Sequence, residues 1–211
     1  MFDGRPIETL IPAELRFDLI FGSHVLEHQV DLVGHLQSIE QLLKPQGRVI
    51  HVVPDLRTCF DALRYPSVTS DVLLVHHKRP SIHQGKQVFD FLSKCIDKNI
   101  GYRMHDADFD GAHFSYELSQ AHAAMLTSEG GGQPYSDTHA WTFTPDSLRL
   151  LMLELRLLGL TRLMPTMVSP QYGNQFLVEM KRAPSGVDEM STEAARQLSQ
   201  ERFELSRRLR I

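Results

Sequence analysis

Side chains able to do acid–base work are concentrated in one short segment, Gly22-Ser23-His24-Val25-Leu26-Glu27-His28. An imidazole is the side chain best suited to take a proton near neutral pH, so His24 and His28 are candidate general bases. The pair stands at i,i+4, as helical zinc ligands do, but Glu27 falls one place too late for H-E-x-x-H. Plainer readings exist for both neighbours: His28 as a polar helix-start residue satisfied by backbone, and Glu27 as a pairing or capping group near the turn. The chain holds 11 His, and His76, His77, His83, His105, His113, His122 and His139 all fall in its middle. No ligand spacing joins them, so no metal site is expected. Asp106-Ala107-Asp108-Phe109-Asp110-Gly111 with Glu117 fits the calcium-loop pattern D-x-D-x-D-G-x₅-E. Phe109 is bulky where such loops are polar and no second loop accompanies it, so an acidic turn leading into a helix at Tyr116 is the simpler reading. Cys59 and Cys95 are too few for a disulfide framework and read as small core residues of a protein in a reducing cytoplasm.

These residues need elements to position them. Phe17-Asp18-Leu19-Ile20-Phe21-Gly22 is a short apolar run and predicts a buried strand. Asp31 to Leu43 has a helical stripe at Leu32, Leu36, Ile39 and Leu43 with Asp31 as N-cap. Lys44-Pro45-Gln46-Gly47 predicts a turn, and Val49–Val53 a second buried strand stopped by Pro54. Strand, helix and strand with short connections make a βαβ unit, so the two strands should run parallel. Helices are expected near 85–97 and 116–127. Thr144-Pro145-Asp146 is a helix start with Thr as cap and Pro at the first position; Leu148, Leu151, Met152, Leu155 and Leu158 form the apolar face, and Gly159 ends it. Residues 160–168 and 175–181 read as antiparallel strands, with Met164 and Met167 as core filler. Pro184-Ser185-Gly186 reads as a linker. Residues 191–211 predict a charged helix with Glu204 and Arg208 at i,i+4; its sparse stripe (Ala195, Leu198, Leu205, Leu209) suits docking, while a solvated tail is the plainer reading.

Composition narrows the function classes. The chain has 211 residues and a net charge of −4. Mild acidity argues against a nucleic-acid binder that works by wide phosphate neutralisation. No apolar run is long enough for a membrane span, and the N-terminus has no signal-peptide pattern. Ligands of open α/β sheets sit outside the carboxyl ends of the strands, which is the rim position of Gly22, Ser23 and His24.

Residues 17–28 resemble the fourth strand and following turn of class I S-adenosylmethionine-dependent methyltransferases, whose pattern there is FD-apolar-apolar-x-x-x-HVLEH. Leu42-Leu43-Lys44-Pro45-Gln46-Gly47 is similar to that family's LLKPGG turn before strand five, with Gln46 for the first glycine. His51-Val52-Val53-Pro54-Asp55 resembles the end of strand five. Phe60-Asp61 with Arg64 resembles a TFDxxR element of one bacterial branch, and His139-Ala140-Trp141-Thr142-Phe143-Thr144-Pro145 the HxW-T-P start of its last helix.

The resemblance implies an α/β fold. This is a partial Rossmann-like sheet, the second half of a seven-stranded one, with a helical insertion and a C-terminal helix. Residues 1–182 would form a truncated methyltransferase-like domain with a substrate cap at 56–140, and residues 183–211 a linker and charged helix. It implies S-adenosyl-L-methionine as cofactor, with Gly22, Ser23 and His24 on its methionine and sulfonium side. His28 would be the catalytic base, and Asp55, Arg57 and Asp61 would face the substrate, a small molecule or a glycan or lipid intermediate. The family grips its cofactor with a glycine-rich turn after strand one and an acid ending strand two. Here no G-x-G occurs outside Gly130-Gly131-Gly132, which follows no strand. Strands one to three are therefore expected to be missing, leaving an exposed edge for a second copy or a partner to cover. The alternative reading is an inactive half-domain that serves as an interaction module or survives as a gene fragment.

Overall fold

The computed structural model describes residues 7–97, 109, 111–130, 135–184, 186 and 188–209. Most of the acidic segment 106–110 lies outside them, as do Ser185 and two of the three consecutive glycines. Strand β1 (Phe17–Ser23) leads through a 3₁₀ turn (Leu26–His28) into α1 (Leu32–Leu42) and on to β2 (Leu43–Pro54). The Asp31 carboxylate caps α1 by accepting from the Gly34 amide at 3.0 Å. β1 and β2 are parallel, as a βαβ unit requires. The expected turn at Lys44–Gly47 is absent. Helix passes directly into strand at Leu43, which pairs with Phe17 across a bulge. Gly47 earns its place by close approach, since a Cβ there would meet the Phe17 carbonyl at 2.7 Å.

The mixed sheet has the order β1-β2-β4-β3, with β3 (Leu163–Val168) and β4 (Gln175–Arg182) antiparallel to each other and β4 antiparallel to β2. Its inner face aligns Ile20, Val49 and Met180 in one row and Gly22, His51 and Val178 in the next. Against this face pack Leu32, Val33, Leu36 and Ile39 of α1 and Leu148, Leu151, Met152 and Leu155 of α5 (Pro145–Leu157). At about 2 kcal/mol for each fully buried leucine-sized side chain, this layer dominates the stability. The outer face has no such cover among the described residues. Leu19 is 45% and Phe21 61% exposed, beside half-buried Ile50, Val52 and Leu177.

Between β2 and α5 the chain forms α2 (Thr69–Lys78), α3 (Gly85–Lys94) and α4 (Leu118–Glu129). Helix α2 was not foreseen; His76 ties it to α1 through Asp31 at 2.8 Å. Phe60, Phe91, buried Cys95 and Ile96 form a second small core. Thr144 caps α5 in a reciprocal box with Ser147, Pro145 opens the helix, and Gly159 leaves it at φ 72°. Helix α6 (Thr192–Arg208) is docked, contrary to the plainer reading. Leu205 is buried, and Arg202 and Arg208 reach Glu154 and Asp146 of α5 at 2.7 and 3.5 Å. Glu204 pairs with Arg207 at 2.6 Å instead of Arg208, whose guanidinium is drawn to α5. Met167 is exposed because it lies on β3 at the sheet edge, so it is not core filler.

Candidate functional site

The parallel strands β1 and β2 end side by side, and the segment after β1 turns sharply. His24 donates its amide to the Val52 carbonyl at 3.0 Å and holds a left-handed φ of 53°. That conformation costs a non-glycine residue about 1 kcal/mol and is kept only where surrounding contacts enforce it. The Gln175 side chain lies 2.8 Å from His24 Nε2, which fixes the ring over the ends of β2 and β4. Ser23 is exposed at the rim. The fold itself requires Gly22 to be small: a Cβ there would stand 2.6 Å from His51 Nδ1.

The turn then drives Glu27 inward. Its side chain is buried, and neither carboxylate oxygen has a hydrogen bond. It makes no capping hydrogen bond, and its pairing is with imidazoles: His24 and His28 stand 3.6 and 3.8 Å from Oε1. Burial pushes the Glu27 carboxyl pKa up, against the partial opposition of a backbone contact and of His139 and His24. His28 ends the turn, half-buried. Its Nδ1 lies 2.8 Å from Asp137, off the line of a ring N–H, so the backbone-satisfied reading does not hold. Burial holds the His28 pKa below the usual histidine value, His139 adding to the effect and Asp137 opposing it. The ring is accordingly neutral near pH 7, the form a base requires.

Trp141 staples a distant segment to this turn. Its amide donates to the Glu27 carbonyl at 3.1 Å and its indole Nε1 to the Gln29 carbonyl at 2.6 Å. Two positions earlier, His139 is thereby brought edge-on to His28, with ring centroids 4.6 Å apart. His139 Nδ1 meets Asp61 at 2.5 Å, and the Arg64 guanidinium joins Asp61 at 2.9 Å and the His139 carbonyl at 2.7 Å. Burial pushes the Asp61 carboxyl up, but His139 and Arg64 outweigh it and hold the pKa below the ordinary carboxylate value. Phe60 and Phe91 wall the His139 ring at 4.7 and 5.6 Å. One ligand-type atom from each of Glu27, His28 and His139 falls within 4.8 Å of the other two.

The expected base and the three residues expected to face substrate are distributed unequally. His28 is half-buried at the cluster. Asp61 is wholly engaged inside it. Asp55 is fully buried, accepting from the Arg57 amide at 3.0 Å and from its guanidinium at 2.9 and 2.6 Å. The exposed group of that pair is Arg57, whose charge the Asp55 hydrogen bond secures. A cavity of about 330 Å³ opens nearby between α2 and α3, lined by Arg64, Trp141, Lys78, Lys86 and Lys94; none of the expected site residues lines it. Sequence spacing missed His139 as a member of the site, because its partner Asp61 lies 78 positions away. The one signal pointing to it was the His139-x-Trp141 pattern, whose Trp is the staple.

No curated protein and no solved structure shows a significant match to the chain. A family model described as a methyltransferase domain matches residues 5–156. That span runs from before β1 through most of α5, and so includes both parallel strands and the whole Glu27–His28–Asp61–His139 cluster. The chain therefore belongs to the methyltransferase domain family.

Proposed function

We propose that the chain transfers a methyl group from S-adenosyl-L-methionine to a small-molecule or glycan or lipid acceptor. The observation that carries this is the rim itself: a strained His24 and an exposed Ser23 at the carboxyl ends of two parallel strands, above a buried carboxylate without a hydrogen bond. Burial favours the neutral form of Glu27, and a positive partner at the rim, such as a sulfonium, stabilises its charged form instead. Gly22, Ser23 and His24 are the residues to hold the methionine end. The cofactor supplies an electrophilic methyl; the remaining work is positioning and proton removal. Neutral His28 takes the proton of the acceptor. Arg57, held by Asp55, orients an anionic group of the acceptor, and Asp61 positions His139 beside His28. Among the described residues no helix is long and apolar enough to cross a membrane. Cys59 and Cys95 are buried and form no disulfide, which suits a reducing cytoplasm. Calorimetric titration of the chain with S-adenosyl-L-methionine tests the reading. Saturable heat with a rise in unfolding temperature is expected; no heat and no shift at millimolar ligand refutes it.

A second reading rests on the outer sheet face. Exposed Leu19 and Phe21 on edge strand β1, which among the described residues pairs with β2 alone, suit a module that binds a partner or a second copy without catalysis. It expects a mass above that of the monomer in solution, reduced to monomer by Phe21→Lys.

A further inference from the structure

The cluster below the rim has more convergent donor atoms than a methyl-transfer site uses. Glu27 is 1% exposed and has no hydrogen bond to either oxygen. A sulfonium balances its charge but offers nothing to imidazole nitrogens, and two imidazoles point into the same space. Asp61 holds Nδ1 of His139 at 2.5 Å, which leaves Nε2 to that ring. Asp137 stands 2.8 Å from His28 Nδ1 without a formed hydrogen bond, and His28 Nε2 faces Glu27 Oε1 at 3.8 Å. A carboxylate behind a ligating imidazole fixes its orientation and raises its basicity, the recurring outer-shell arrangement of protein metal sites.

We propose that Glu27, His28 and His139 form a divalent-metal site of two imidazoles and one carboxylate, with Asp61 and Asp137 as its outer shell. This ligand set is one that zinc and non-haem iron(II) take. The donor atoms lie within 4.8 Å of one another; bonds of about 2.0–2.2 Å bring tetrahedral donors to about 3.4 Å apart, so closing the site takes a movement on the order of 1 Å. Asp61 is locked by Arg64 and His139 is walled by Phe60 and Phe91, so the movement falls to His28, at the half-exposed end of the 3₁₀ turn. Three protein ligands leave a coordination position open, where a hydroxyl bound to the ion would lose its proton more readily. In the loaded protein His28 is a ligand and the ion replaces it as the activating group. The proposal goes beyond the methyl-transfer reading and does not depend on it.

The test uses the full, tag-free chain stripped with chelator and titrated with Co²⁺ or Zn²⁺ alone. Expected are binding of about one equivalent, visible ligand-field bands of a low-symmetry cobalt site, and a higher unfolding temperature. Glu27→Gln keeps the volume and removes a buried charge. It should unfold cooperatively without metal at the wild-type temperature or above, and lose the bands. Asp137→Asn, on a side chain 71% exposed, should fold normally and bind about tenfold more weakly. His76→Ala/His77→Ala, remote from the cluster, should bind as wild type. Absence of saturable binding and of cobalt bands in the wild type overturns the proposal, as does undiminished binding in Glu27→Gln. Metal binding without any response to S-adenosyl-L-methionine removes the methyl-transfer reading alone; the converse removes the metal site alone.

Discussion

Acid stability of this protein should be governed in large part by His51. Its ring is 2% exposed on the inner sheet face, neither nitrogen makes a hydrogen bond, and it looks onto the His35 ring of α1 at 6.1 Å. Burial holds its pKa down from 6.5 to about 4, the nearby Gly22 backbone offsetting only part of this. The unfolded chain takes up a proton as pH falls through about 6.5, while the folded chain does so only near 4. Throughout that window the unfolded state binds more protons, so stability is complete above 6.5 and drains away as pH falls toward 4. At about 1.4 kcal/mol per pH unit the loss sums to about 3 kcal/mol. His35, held down to about 3 by burial and by His51, acts with the same sign. His51→Leu removes the proton site at similar volume and leaves no unpaired donor behind, so at neutral pH the variant should be as stable as wild type or more so. The assay is urea unfolding of both proteins at constant ionic strength, stepped from about pH 7 to about pH 4. Carboxylates common to the two cancel in the difference. The wild type should lose about 3 kcal/mol more than the variant across that range. Parallel curves, with a gap that changes by less than about 0.5 kcal/mol, would refute the argument that His51 is buried and neutral.

Two further outcomes follow from local geometry. Gly22→Ala places a Cβ 2.6 Å from His51 Nδ1 and should cost about 1–3 kcal/mol by urea unfolding. A double-mutant cycle with His51→Ala should show most of that penalty relieved; full additivity would mean that the ring is not what Gly22 accommodates. Thr144→Ala removes the side chain that accepts from the Ser147 amide at 3.1 Å. It should destabilise the protein by about 1 kcal/mol with no change in oligomeric state.

Local chemistry in the chain determined much of this fold before any long-range contact was known. Asp31 and Thr144 cap their helices because a short polar side chain satisfies orphaned amides within three residues. Phe17–Gly22 and Val49–Val53 are strands because short apolar runs pair as extended chain, but only Val49–Val53 is largely buried; β1 is an edge strand that leaves Leu19 and Phe21 exposed, so the expected burial of that run does not hold. The HVLEH and HxW patterns marked both halves of the site. Tertiary structure decided the rest, for reasons no window of sequence contains. Leu43–Gly47 extends into β2 because β1 is there to pair with it, overriding a turn-forming composition. Glu204 loses Arg208 to Asp146 because α6 docks on α5. Most of all, Glu27, His28, Asp61 and His139 are unremarkable one by one. Burial strips Glu27 of water, Trp141 draws in the segment carrying His139, and Asp61 orients its ring. Only that convergence turns four scattered polar residues into one desolvated, electrostatically coupled site.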